Sequence, residues 1–160
     1  TDTASRAIKG AKVRGYELEF NGRLGHAWDL SLGWSHYSAK EPGGAHLNAH
    51  QPRKVFKLFA KYDAARLLPG LSLGTGLRWH SRPPIELTNP GTGLKEAAGQ
   101  PAFALLDLMA RYQINPKLAL QLNVSNALDK TYYQLNQWWP DTMSYGEPRR
   151  IQLGLNYLFD

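Results

Sequence analysis

The chain contains no cysteine, so it can build neither a disulfide framework nor a thiolate metal site. It also lacks any run of about 18 apolar residues, which excludes a membrane-spanning helix. The opening residues, Thr1-Asp2-Thr3-Ala4-Ser5-Arg6, do not show the charged-then-apolar order of a secretory signal. Acidic groups are the minority, 13 against 19 basic, giving a formal charge of +6. Such a balance admits an anionic lipid surface or nucleic acid as partner. The basic residues are scattered and fit no standard recognition module, so nucleic acid is not expected. Two architectures remain. One is a soluble domain, for which 160 residues suffice. The other is a membrane span made by strands of a closed barrel. A mean hydropathy of −0.45 is compatible with the second, because only alternate residues of a spanning strand face lipid.

What the sequence does have is two-residue alternation, in seven segments. Tyr16, Leu18, Phe20, Gly22 and Leu24 alternate with Glu17, Glu19, Asn21 and Arg23. Trp28, Leu30, Leu32 and Trp34 follow, then Phe56, Leu58, Ala60 and Tyr62, with Phe59 an exception on the polar side. Leu71, Leu73, Thr75, Leu77 and Trp79 face away from Ser72, Gly74, Gly76, Arg78 and His80. Leu106 to Ile114 is weaker, and the stretch from Phe103 to Tyr112 taken alone is also compatible with a helix. Leu118, Leu120, Leu122 and Val124 form the sixth set, and Ile151, Leu153, Leu155, Tyr157 and Phe159 the seventh, with Leu158 out of phase. Segments of about 9–11 residues suit a tilted strand crossing a bilayer, whereas soluble sheets favour about 5–6.

The connections alternate too. Residues 25–27, 63–70 and 115–117 are short and turn-like, while 38–53, 82–102 and 126–149 are long and rich in Pro, Gly and Asn. Short turns on one side and long loops on the other mark outer-membrane barrels. Aromatics near strand ends, such as Trp28, Tyr62, Trp79 and Tyr112, fit interfacial girdles.

Several motifs carry a resemblance. Leu122-Asn123-Val124-Ser125-Asn126-Ala127-Leu128-Asp129-Lys130-Thr131-Tyr132-Tyr133, and Tyr145-Gly146-Glu147-Pro148-Arg149-Arg150 after it, resemble the C-terminal end of TonB-dependent ferric-siderophore receptors. Arg14-Gly15-Tyr16-Glu17-Leu18-Glu19 and Gln51-Pro52-Arg53-Lys54-Val55-Phe56-Lys57-Leu58 resemble strand openings of that family. The ending Gln152-x-Gly154-x-x-Tyr157-x-Phe159 is similar to the signal read by the barrel-assembly machinery, with Asp160 a departure from it. The resemblance implies an all-β, antiparallel transmembrane barrel meander. Residues 1–160 would be about seven C-terminal strands of a larger, roughly twenty-two-stranded barrel, with the N-terminal plug domain elsewhere. It implies active transport of a ferric siderophore across the bacterial outer membrane. The implied partners are the TonB complex, outer-membrane lipid, lipopolysaccharide and the barrel-assembly machinery. Other cargo (cobalamin, haem or a saccharide) and a passive porin-like barrel are the competing functions.

Under that resemblance the long connections face outside and capture the ligand. Trp138, Trp139, Tyr133 and Tyr145 supply flat rings with polar handles, which suit binding, although loop packing would use the same residues. Arg78, His80 and Arg82 share one face near the end of the fourth segment, where positive charge attracts an anionic chelate. The competing expectation is that they, with Lys57, Lys61, Glu17, Glu19 and Asp107, form ion pairs along the lumen wall. His46 and His50 have metal-ligand spacing only on a helix, which Gly43 and Gly44 disfavour. No nucleophile–base set is present, so no enzyme and no cofactor are expected.

Overall fold

Alternation forces a choice of face on every strand, and register decides whether those faces agree. In the computed structural model, which describes residues 9–47, 49–98, 100–135 and 143–159, they do. The strands are β1 (Lys12–Leu24), β2 (Trp28–Lys40), β3 (Lys54–Asp63), β4 (Leu71–His80), β5 (Ile85–Thr88), β6 (Lys95–Ala98), β7 (Phe103–Asn115), β8 (Leu118–Ser125), β9 (Tyr133–Leu135), β10 (Met143–Tyr145) and β11 (Arg150–Tyr157). Seven of them form one antiparallel sheet in the order β1-β2-β3-β4-β7-β8-β11, an up-and-down meander. The Phe103 stretch is strand, and no helix occurs among the described residues.

The register runs Leu18↔Trp34↔Phe56↔Trp79↔Ala104 in one row and Leu24↔Trp28↔Tyr62↔Leu73↔Ala110↔Leu122↔Leu153 in another. One slip of a single residue would turn a whole strand over; none occurs up to the bulge at Gln113/Asn115 beside the last turn. The result is a continuous apolar face across seven strands and a polar face behind it. Leu73, Leu120 and Leu153 lie on the first, and Arg78, Gln121 and Gln152 on the second, as the alternation requires.

This sheet has almost no core of its own. The buried apolar residues among those described are Ala39, Ala60, Ala64, Leu105, Ala119 and Tyr132. The chain exposes 12064 Å², against about 8000 Å² for a globular monomer of its 17.9 kDa mass. Leu18, Phe20, Ile151, Leu153 and Leu155 are all more than half exposed. An apolar surface of that extent marks an interaction face, and its alternating strand pattern matches a lipid-facing band.

Aromatic rows bound the band. Trp28 and Tyr62 sit 4.8 Å apart near the turn end. Near the other end Trp34 stacks on Trp79 at 6.1 Å and 8°, with Phe56 beside it at 6.4 Å.

The short turns are built from local chemistry. Asn115 Oδ1 accepts from the backbone N–H groups of Lys117 and Leu118 at 2.9 and 3.0 Å, an Asx turn. Gly70 sits at φ 85°, and a Cβ there would lie 2.5 Å from the Gln113 carbonyl oxygen, so both the conformation and the close approach require glycine.

The long connections depart from the expectation of pure loop. β1 and β2 run on together to Lys12↔Lys40, beyond the last apolar pair. The second connection contains the hairpin β5–β6 and the third the hairpin β9–β10. Strands of four and three residues are too short to show alternation above background.

Candidate ligand-binding site

Strands β4 and β7 end and begin side by side, with His80 opposite Phe103 and Arg78 opposite Leu105. All four side chains belong to the polar face by parity. Phe103 and Leu105 are apolar there because the third long connection folds over them. Leu105 is buried, and so is Tyr132 near the start of that connection. The three rings form a ladder: His80 stacks on Phe103 at 5.2 Å and 23°, and Phe103 on Tyr132 at 4.9 Å and 25°.

Beside this ladder lies a cavity of about 270 Å³. His50 and Gln100 border it from the other long connections, Tyr133 from the third, and Arg78 from below. Gln100 is buried, and its Oε1 accepts from the Tyr133 backbone N–H at 2.9 Å, tying the second long connection to the third. Tyr145 stands against Tyr133 with ring centres 4.9 Å apart. A hydrogen bond with the Tyr145 hydroxyl, then the charge Tyr145 would carry, holds the Tyr133 phenol above the ordinary tyrosine value. Rings, one guanidinium and amide groups converge on the same space, a composition that suits a flat or chelating anionic ligand.

The cavity wall is held by a latch at the exit of β8. Asn126 is buried at φ 48°. Its Nδ2 donates to the carbonyls of Lys130 and Glu147 at 2.9 and 3.1 Å, and its Oδ1 accepts from Lys130 N–H at 2.9 Å. Its own backbone N–H donates to Asp107 Oδ1 at 2.9 Å. Asp129, at φ 51°, accepts the Arg149 N–H at 3.0 Å, which closes the connection on itself. Gly146 completes the latch: a Cβ there would come within 2.1 Å of the Tyr132 ring, so the ring lies flat on bare backbone. The segments 122–133 and 145–150 are thus two halves of one structure.

Of the residues expected to bind, His80 and Tyr133 border the cavity and Tyr145 supports Tyr133. Arg82 is exposed and stands outside it. Trp138 and Trp139 lie outside the described residues. Phe103, Leu105 and Gln100 were not foreseen, although odd-numbered apolar residues on a polar face were the available signal.

The expected lumen ion pairs form in part. Arg78 Nη2 reaches Asp107 Oδ2 at 3.0 Å, and Lys61 and Arg23 share Asp29 at 3.5 and 3.2 Å. Lys57, Glu17 and Glu19 make no ion pair among the described residues; they line a shallow cavity together on the same polar face. His46 pairs as an isolated bridge with Lys40 and His50 lies in a turn, so the helical spacing needed for joint ligation is absent. Among the described residues no group of three His, Asp or Glu could hold a metal.

Residues 1–127 match a family described as "TonB dependent receptor-like, beta-barrel". The chain is 34% identical over 156 residues to the ferripyoverdine receptor of Pseudomonas aeruginosa, covering 98% of this chain and 19% of the relative. To the ferric-pyoverdine BN7/BN8 receptor of Pseudomonas putida it is 30% identical over 158 residues, covering 99% of this chain and 18% of the relative. The chain therefore spans about a fifth of the length of these curated relatives. Its fold superposes on the crystal structure of the Pseudomonas aeruginosa outer-membrane ferripyoverdine receptor bound to ferripyoverdine with a TM-score of 0.79 and 33% identity, over 92% of this chain and 19% of that one. The ferric-catecholate import receptor Fiu of Escherichia coli shares the fold at a TM-score of 0.73 and 24% identity, over 93% of this chain and 21% of that one.

Proposed function

The chain belongs to the TonB-dependent receptor-like β-barrel family, and on that premise we propose that it forms part of the wall and outer mouth of an outer-membrane receptor that imports a ferric siderophore. Residues 1–160 would be the C-terminal segment of the barrel domain, in a receptor of about twenty-two strands whose lumen is plugged by another part of the protein. The apolar face meets lipid and lipopolysaccharide, the short turns lie in the periplasm, and the long connections lie outside. TonB energises passage through the plug, and the barrel-assembly machinery inserts the chain.

The observation that carries this reading is the aromatic cavity at the long-loop end of the polar face, bordered by His80, Phe103, Tyr132 and Tyr133 with Arg78 beneath. A ferric siderophore carries its own iron ligands, so the site needs rings and charge rather than metal-binding side chains. The names of the relatives make ferric pyoverdine the first cargo to test. Cells making the full receptor should accumulate radio-iron supplied as ferric pyoverdine, and loss of TonB should abolish accumulation while leaving surface binding intact. Uptake that persists without TonB would identify a passive pore instead.

A further inference from the structure

Arg78 borders the aromatic cavity, but it belongs to two spaces. It also lines a recess of about 420 Å³ nearer the turn end of the same polar face, together with Glu19, Lys57 and Asp107. A long, flexible cation between two such spaces needs a partner to fix it. Asp107 is that partner. It sits diagonally from Arg78 across the β4–β7 pair, opposite Gly76, and diagonal neighbours lie within reach of long side chains. A Cβ at position 76 would already touch the Asp107 Cβ at 3.6 Å and its Oδ2 at 3.8 Å, so glycine leaves the carboxylate open on that side. Arg78 Nε donates to Oδ2 at 3.2 Å and Nη2 to Oδ1 at 3.4 Å. Two bonds to one carboxylate fix the plane of a guanidinium as well as its position.

The same carboxylate has a second partner. The paired register of β7 and β8 runs up to Leu108↔Val124, and beyond it Asn126 turns into the left-handed region. Its N–H finds Asp107 Oδ1 at 2.9 Å, while the next N–H, of Ala127, returns to the Leu106 carbonyl at 2.7 Å. Asp107 is steadied in turn by Thr75, whose hydroxyl donates to its backbone carbonyl at 3.3 Å. One side chain thus touches both the cation of the cavity and the root of the connection that covers Phe103 and Leu105.

We propose that Asp107 is a positioning residue for ligand capture: one carboxylate holds Arg78 at the aromatic cavity and the root of the third long connection beside it. This deepens the reading given under Proposed function and rests on it. Asp107 also carries the wrong charge for an anionic chelate. That repulsion is screened, because the pair is partly open to solvent, with side chains 45% and 31% exposed. Orientation outweighs it, since an unheld Arg78 is free to turn to Glu19 in the recess and away from the cavity.

The purified full receptor would be titrated with ferric pyoverdine as parent, Asp107→Asn, Arg78→Gln and the double variant. Asparagine keeps an oxygen for the Asn126 N–H and loses the charged grip on Arg78. Asp107→Asn should raise Kd about fivefold and Arg78→Gln about tenfold, and the double variant should match Arg78→Gln, because Asp107 reaches the ligand through Arg78. If Asp107→Asn assembles poorly, Arg78→Lys, which keeps the charge without the two-point grip, should raise Kd about threefold. In a ligand-free arm, limited proteolysis should cleave Asp107→Ala between residues 127 and 149 and spare Asp107→Asn.

A Kd for Asp107→Asn equal to the parent's, or tighter, overturns the proposal, as does a parent-like Kd for Arg78→Lys. The same factor lost from Asp107→Asn with and without Arg78 marks a merely structural role and overturns it too. Cleavage of both Asp107 variants, or of neither, overturns the hold on the connection. Each of these results beside saturable binding by the parent refutes the proposal alone. A parent without saturable binding refutes the proposed function, and the capture role with it.

Discussion

Single residues decide whether the outer cavity has a wall. Asn126 makes four hydrogen bonds from a left-handed backbone position while almost wholly buried. Replacing it by Ala removes the partner of the Lys130 and Glu147 carbonyls and of the Lys130 N–H, three part-buried hydrogen bonds worth about 0.5–1.5 kcal/mol each. Asn126→Ala should therefore unseat the third long connection. Limited proteolysis of the folded receptor would report it as new cleavage between residues 127 and 149, with the barrel strands still protected.

Gly146→Ala should act through the other half of the latch, because a methyl group cannot share space with the Tyr132 ring. The expected cost is about 1–3 kcal/mol of overpacking, read as a lower midpoint in denaturant titration. A midpoint like the parent's would show that the ring has room to move. The asparagine was readable in sequence as a turn former. Gly146 was readable only as part of a motif, because the ring that forbids a side chain there lies fourteen residues away, at Tyr132.

At the scale of the strand, alternation was sufficient for the whole seven-stranded sheet, because one residue of slip exposes a full row of leucines to the wrong side. It was insufficient for the additions. The β5–β6 hairpin is held by local turn bonds such as Asn89 Oδ1 accepting from Gly91 N–H at 2.9 Å, and strands of three or four residues, as in β5–β6 and β9–β10, leave no period to detect. Alternation of side-chain character also stops short of the strand end, since Phe103 and Leu105 are apolar on the polar face where a loop covers them.

The facing itself is testable on one strand. Leu120 lies on the apolar face, paired with Leu155 and Tyr112, and Gln121 on the polar face, paired with Gly154 and Arg111. In a folding titration into bilayers, Leu120→Arg should cost about 2–4 kcal/mol and Gln121→Arg far less. Equal costs would contradict the assignment of the faces.

For the whole molecule, a sheet with an apolar face, a polar face and two open edges is stable only when closed by further strands and covered by lipid. Under the proposed function, the long connections gathered at one end make that end the place where the siderophore is met. An epitope inserted near Trp138 should be reached by antibody on intact cells, and staining that requires permeabilisation would reverse the orientation. Trp138 and Trp139, expected from sequence to bind, remain a proposal of the same reading. Their joint replacement by Ala should weaken ferric-siderophore binding by about 1–3 kcal/mol, without loss of barrel assembly.

The most direct test of the central claim, that the aromatic cavity receives the chelate, removes the middle ring of its ladder. Phe103 stacks on both His80 and Tyr132 and touches the cavity. An equilibrium titration of the purified full receptor with ferric pyoverdine should give a Kd about tenfold weaker for Phe103→Ala than for the parent, near 1.4 kcal/mol. Iron-free pyoverdine should discriminate the two less. Equal Kd values in two properly assembled receptors, or no saturable binding by the parent, would contradict the account.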